Sequence, residues 1–81
     1  MAVLRNKVHE FRDLHGLTRQ QLAQAAGISI PTVDSLEDQP GYTPQSRVML
    51  RLCGYFNVPI ERLFWIDRDT DDAEQAEAVA V

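Results

Sequence analysis

The residues that could do chemistry are few and poorly spaced for catalysis. His9 and His15 stand six positions apart, so a helix carries them on different faces, and no carboxylate spacing nearby completes a metal set. Cys53 is the single cysteine. It has no disulfide partner and no companions for a cysteine-rich metal centre. Its place on the apolar side of a helical repeat reads as a buried, inert thiol. No nucleophile–base pair and no phosphate-cradling glycine loop is present. What remains is anion recognition. Arg19 directly follows Thr18 at a helix start, where backbone amides also favour negative charge. The chain is therefore not read as an enzyme, and no metal, cofactor or small-molecule ligand is expected.

An arginine serves in that way only if the chain builds helices around it. Leu4, Val8, Phe11 and nearly Leu14 follow the i, i+4, i+7 rhythm and predict a first helix over 3–15, ended by Gly16. Thr18 is a good N-cap, and Gln21 stands three residues later, where a capping-box partner belongs. The second helix runs through Leu22, Ala23 and Ala26 to Gly27, which supplies the left-handed backbone of a tight turn. Ser29 caps a third helix that tolerates Pro31 in its first turn and turns Val33 and Leu36 inward. Residues 38–42 read as a loop by turn chemistry, and Thr43-Pro44 as the N-cap and first position of a fourth helix. Met49, Leu52, Cys53 and Phe56 share one face of that helix, in which Gly54 costs about 1 kcal/mol relative to alanine. Val58-Pro59 opens a last short helix through Leu63. No segment alternates with period two for long enough to predict a core strand.

The stretch from Leu17 to Glu37 carries the most information. Ala23 lets two helices approach closely, Gly27 makes the turn between them, and Val33 packs back beneath it. Leu22, Ile28 and Leu36 complete the wedge. Two helices joined so tightly cross steeply, and the second projects from the surface. An arm of that shape fits a major groove about 12 Å wide.

With Leu17-Thr18, Leu22-Ala23, Ala26-Gly27-Ile28-Ser29, Thr32-Val33 and Leu36-Glu37 in place, the chain resembles the Xre-like helix-turn-helix regulators, which include the phage Cro and repressor proteins. The resemblance spans roughly residues 4 to 66. Tyr42-Thr43-Pro44, Phe56-Asn57-Val58-Pro59 and Ile60-Glu61-Arg62-Leu63-Phe64 look like the family's closing helices. It implies an all-α, five-helix lambda-repressor-like domain that binds double-stranded DNA, generally as a homodimer, to control transcription. It also implies that Thr18, Arg19 and Gln20 approach the backbone or an outer base, Arg19 matching a position that is usually glutamine. Ser29, Ile30, Pro31, Thr32 and Ser35 match the recognition helix, and Gln39, Tyr42 and Thr43 the loop that approaches phosphate. The family often carries arginine or glutamine where Ile30 and Pro31 stand. Bidentate purine readout needs Arg, Lys, Asn or Gln, and this face offers none. Thymine methyls for Ile30 and Pro31, and single hydrogen bonds for Thr32 and Ser35, are the expected contacts. Asp34 would be repelled by phosphate unless it accepts from a cytosine amino group.

A chain of 81 residues has room for one small domain, here 1–66 with the helix-turn-helix at about 18–37. Its formal charge of −4 is misleading, because residues 67–81 set six carboxylates against Arg68 alone. The remainder holds seven basic and six acidic groups, which permits DNA binding without advertising it. Residues 67–81 read as an acidic, disordered tail. Tyr55, Phe64, Trp65 and Ile66 form an aromatic and apolar cluster read as a self-association surface. The absence of a bilayer-length apolar run or a signal peptide makes the reducing cytoplasm the expected compartment. The competing reading is a helix-turn-helix used as a protein-interaction module or a partner-dependent DNA binder, favoured by Ile30-Pro31 and the near-neutral charge.

Overall fold

A computed structural model describes residues 2–67 of the chain. The acidic tail, apart from Asp67, lies outside the described residues. The order is β1 (Val3–Asn6), α1 (Val8–Leu14), α2 (Arg19–Ala26), α3 (Ile30–Asp38), α4 (Ser46–Phe56), α5 (Ile60–Leu63) and β2 (Phe64–Asp67). The five expected helices are all present. No helix among the described residues is long and apolar enough to cross a membrane.

The first departure from the sequence reading is at the ends. Residues 3–6 do not begin α1 but pair antiparallel with β2, placing Leu4 opposite Ile66 and Asn6 opposite Phe64. Four residues are too few to show a period-two signal, and the partner strand lies some sixty positions away. Asn6 turns the strand into the helix. Its Oδ1 accepts from the Val8 amide (3.0 Å), and its Nδ2 donates to the Leu36 carbonyl at 3.0 Å. One side chain thereby ties β1, α1 and α3 together, and the Lys7 amide donates to Leu63 O at 2.9 Å.

A second departure concerns α4. Thr43 is not its N-cap, because its hydroxyl donates to the Gly41 carbonyl (3.3 Å) and serves the loop instead. The helix starts at Ser46 behind Gln45, and the buried Pro44 anchors the approach. Its inner face is the expected one, with Leu52, Cys53 and Phe56 buried and Met49 packed against them. Burial pushes the Cys53 thiol above its usual range, and Glu61 adds to the effect.

The core joins these residues to Val8, Leu22, Ala23, Ala26, Val33, Leu36, Leu63 and Phe64. Phe64, at 4% exposure, is core and not surface, which removes it from the self-association cluster. Strand alternation divides that cluster further. Trp65 stands opposite Arg5, whereas Ile66 pairs with Leu4, so the two side chains leave opposite faces of the sheet. Lys7 Nζ lies 5.7 Å from the Trp65 ring centroid. Tyr55, exposed on α4, sets its ring edge-on to Phe56 at 5.2 Å.

Candidate nucleic-acid interface

The α2–turn–α3 unit is assembled by the local chemistry its sequence prescribes. Thr18 Oγ1 accepts from the Gln21 amide (3.1 Å) while the Thr18 amide donates to Gln21 Oε1 (2.8 Å), closing the capping box. Gly27 ends α2 in the left-handed region at φ 73°, where a Cβ would be strained. Ser29 then caps α3, accepting from the Thr32 amide at 3.2 Å. Arg51 from α4 donates to the Gly27 carbonyl (2.7 Å), holding the turn from behind.

With Val33 and Leu36 buried, α3 turns its other side to solvent. Ile30, Asp34 and Asp38 follow at i, i+4 and i+8, and Pro31 with Ser35 forms the neighbouring row. Ile30 is 43% exposed at the helix start. The Thr32 hydroxyl lies 2.7 Å from Ser29 Oγ, so these two polar side chains support each other at the cap. Of the residues at the opening of α2, Arg19 reaches the side chains of α3, whereas Thr18 is engaged with Gln21 in the cap. Gln39, Tyr42 and Thr43 follow in the loop directly after α3, with the Tyr42 amide donating to Gln39 O at 3.1 Å.

Arg19 does not stand open to solvent as the spacing proposed. Its Nη1 donates to Asp34 Oδ1 and Asp38 Oδ2, and its Nη2 to Asp38 Oδ1, each at 2.8 Å. Its Nε lies 3.2 Å from Glu37 Oε1. The hydrogen bonds it donates to Asp38 and Asp34 raise the guanidinium's pKa still further, and Arg19 in turn holds the Asp38 carboxyl below the usual carboxylate range. These partners lie fifteen to nineteen positions from Arg19, beyond the reach of any local pattern.

A second guanidinium completes the cluster. Arg12 donates from Nε to Glu37 Oε2 (2.7 Å), from Nη2 to Glu37 Oε1 (2.9 Å) and from Nη1 to the Leu17 carbonyl (2.8 Å). The Glu37 side chain is 1% exposed, and His9 Nδ1 also lies 3.0 Å from its Oε1. Burial opposes a charge there, yet the hydrogen bonds from Arg12 and His9 prevail and hold the Glu37 carboxyl below its usual range. Sequence reasoning missed this pair, whose only signal was an arginine on α1 and a glutamate at the end of the helix-turn-helix. Among the described residues no group of three or more His, Cys, Asp and Glu side chains is placed to hold a metal ion.

Comparison with known proteins places this geometry among relatives. The sequence model of the helix-turn-helix family matches residues 8–63. The chain is similar to an uncharacterized HTH-type transcriptional regulator of Methanocaldococcus jannaschii, with 32% identity over 66 residues that cover 82% of this chain and 98% of the relative. A relative described in the same words from Archaeoglobus fulgidus is 34% identical over 64 residues, or 79% of this chain and 90% of its own. The uncharacterized HTH-type transcriptional regulator YgzD of Bacillus subtilis is 29% identical over 66 residues, with coverage of 82% and 98%.

Proposed function

The chain belongs to the helix-turn-helix family of DNA-binding transcriptional regulators, and on that premise we propose that it is a sequence-specific repressor that lays α3 in the major groove. The observation that carries this reading is the division of α3. Val33 and Leu36 lock it to the core, while Ile30 and Pro31 stand exposed and Ser35 partly exposed on a helix whose two ends are fixed. Ile30 and Pro31 supply apolar contact for thymine methyls, and Ser35 one hydrogen bond to a base edge. Thr18, Gln20, Gln39, Tyr42 and Thr43 flank them on the sugar–phosphate backbone. Two copies would address half-sites about 34 Å apart, one turn of DNA.

The dimer surface in this reading is the face of the sheet that carries Trp65, at 39% exposure, opposite the face of Ile66. Trp65→Ala should shift sedimentation toward the monomer without a change in helix content. An unshifted boundary moves the interface elsewhere.

Fluorescence anisotropy with a labelled duplex, across a salt series, tests the DNA reading. Affinity should fall linearly on logarithmic axes as salt rises, with a slope of about 0.9 per phosphate contact. The exposed, apolar Ile30-Pro31 pair supports a second reading in which α3 receives a protein partner. Absence of binding at low salt would favour that reading over DNA.

A further inference from the structure

We infer that Asp34 and Asp38 limit the affinity of the protein for DNA by withholding Arg19 from the phosphate backbone. The inference rests on the DNA-binding reading and adds to it. Arg19 occupies the opening of α2, where a cation would meet phosphate, and is the arginine closest in sequence to the capping box. Yet its guanidinium points across to α3, with Asp34 and Asp38 on one side and Glu37 on another. Asp34 and Asp38 lie one turn apart on the outward row that begins with Ile30.

Stability does not explain the arrangement. Asp34 and Asp38 are about half exposed, and ion pairs in such positions add little to folding. Glu37 already has Arg12 as its bidentate partner. What the clamp does change is the electrostatics of the face presented to DNA. Phosphate contacts supply affinity that is blind to sequence, while base contacts supply discrimination. A helix that reads bases through Ile30, Pro31 and Ser35 has only weak discriminating contacts. Withholding one sequence-blind contact lowers affinity for every duplex alike, so the clamp sets the strength and salt dependence of binding and leaves the ratio between sites to the base contacts. The Arg19 fork suits this task because its coplanar N–H groups bridge two carboxylates at once, which a lysine cannot do.

The test is the salt slope of binding to a fluorescein-labelled duplex of mixed sequence, measured for four proteins. These are the wild type, Arg19→Gln, the pair Asp34→Asn with Asp38→Asn, and the triple variant. All changes are at surface positions, and thermal melts confirm the fold of each. The double variant frees Arg19 and should bind about tenfold more tightly at low salt, with a slope steeper by about 0.9. Arg19→Gln alone should leave the wild-type slope unchanged, and the triple variant should lose the gain of the double. If Arg19→Gln flattens the slope of the wild type by about 0.9, Arg19 already contacts phosphate and the inference falls while DNA binding stands. If none of the four proteins retains the duplex at low salt, the DNA-binding reading fails and the inference with it.

Discussion

Replacing Arg12 with alanine is expected to cost the domain about 3 kcal/mol and to lower its melting temperature by roughly 15 °C. The size follows from what the side chain leaves behind. Glu37 would stay buried with only Arg19 and the half-exposed His9 for company, and the Leu17 carbonyl would lose its donor. Removing one partner of a buried pair strands a charge that water can no longer reach. Arg12→Lys should recover only part of the loss, because one ammonium cannot satisfy two carboxylate oxygens and a carbonyl in a plane. The effect also has a pH signature. A carboxyl held below its unfolded value contributes stability above about pH 4.3, and that contribution disappears as pH falls through the folded value. The gap between wild type and Arg12→Ala should therefore be full at pH 7 and close in acid below about pH 4. Melts followed by circular dichroism from neutral to acid pH check both claims. A gap under about 1 kcal/mol at neutral pH would class the pair with ordinary surface bridges.

The largest effect on binding is expected from Ile30→Glu. Ile30 is exposed at the start of α3, so the substitution leaves the core and the Ser29 cap untouched. In the groove it replaces an apolar contact with a carboxylate facing two phosphate strands, beside Asp34 on the same row. Affinity for duplex DNA should drop about a hundredfold at low salt, in the range lost with one good base contact and an added repulsion. The melting temperature should stay within a few degrees of the wild type. Unchanged binding by a folded variant would take Ile30 out of the interface.

Much of the fold was legible because its signals are local. Thr18 with Gln21, Gly27, and Ser29 with Pro31 act over three or four residues, and each does in the structure what its chemistry prescribes. The inward positions Leu22, Ala23, Val33, Leu36, Leu52 and Phe56 were legible for the same reason, since helical periodicity repeats within a turn. The misread elements are those decided at a distance. Val3 and Leu4 extend the apolar rhythm of a helix backward, and only the pairing with 64–67 makes residues 3–6 a strand. Thr43-Pro44 has the form of a helix start, but its hydroxyl is taken by the loop that precedes it.

The candidate site divides along the same line. The exposed rows of α3 follow from its own periodicity, so Ile30, Pro31 and Ser35 could be read in advance. The state of Arg19 could not be, because it depends on carboxylates that reach it only after α2 and α3 have packed. Arg12, Glu37 and Arg51 were overlooked likewise. Each acts on a partner more than twenty positions away.

Whether α3 and its flanks meet DNA is decided by amide chemical-shift mapping of the labelled protein with a duplex. The largest shifts are expected over residues 18–20, 29–35 and 39–43, fading as salt is raised. Shifts confined to the sheet and α5, with α3 silent, would contradict it.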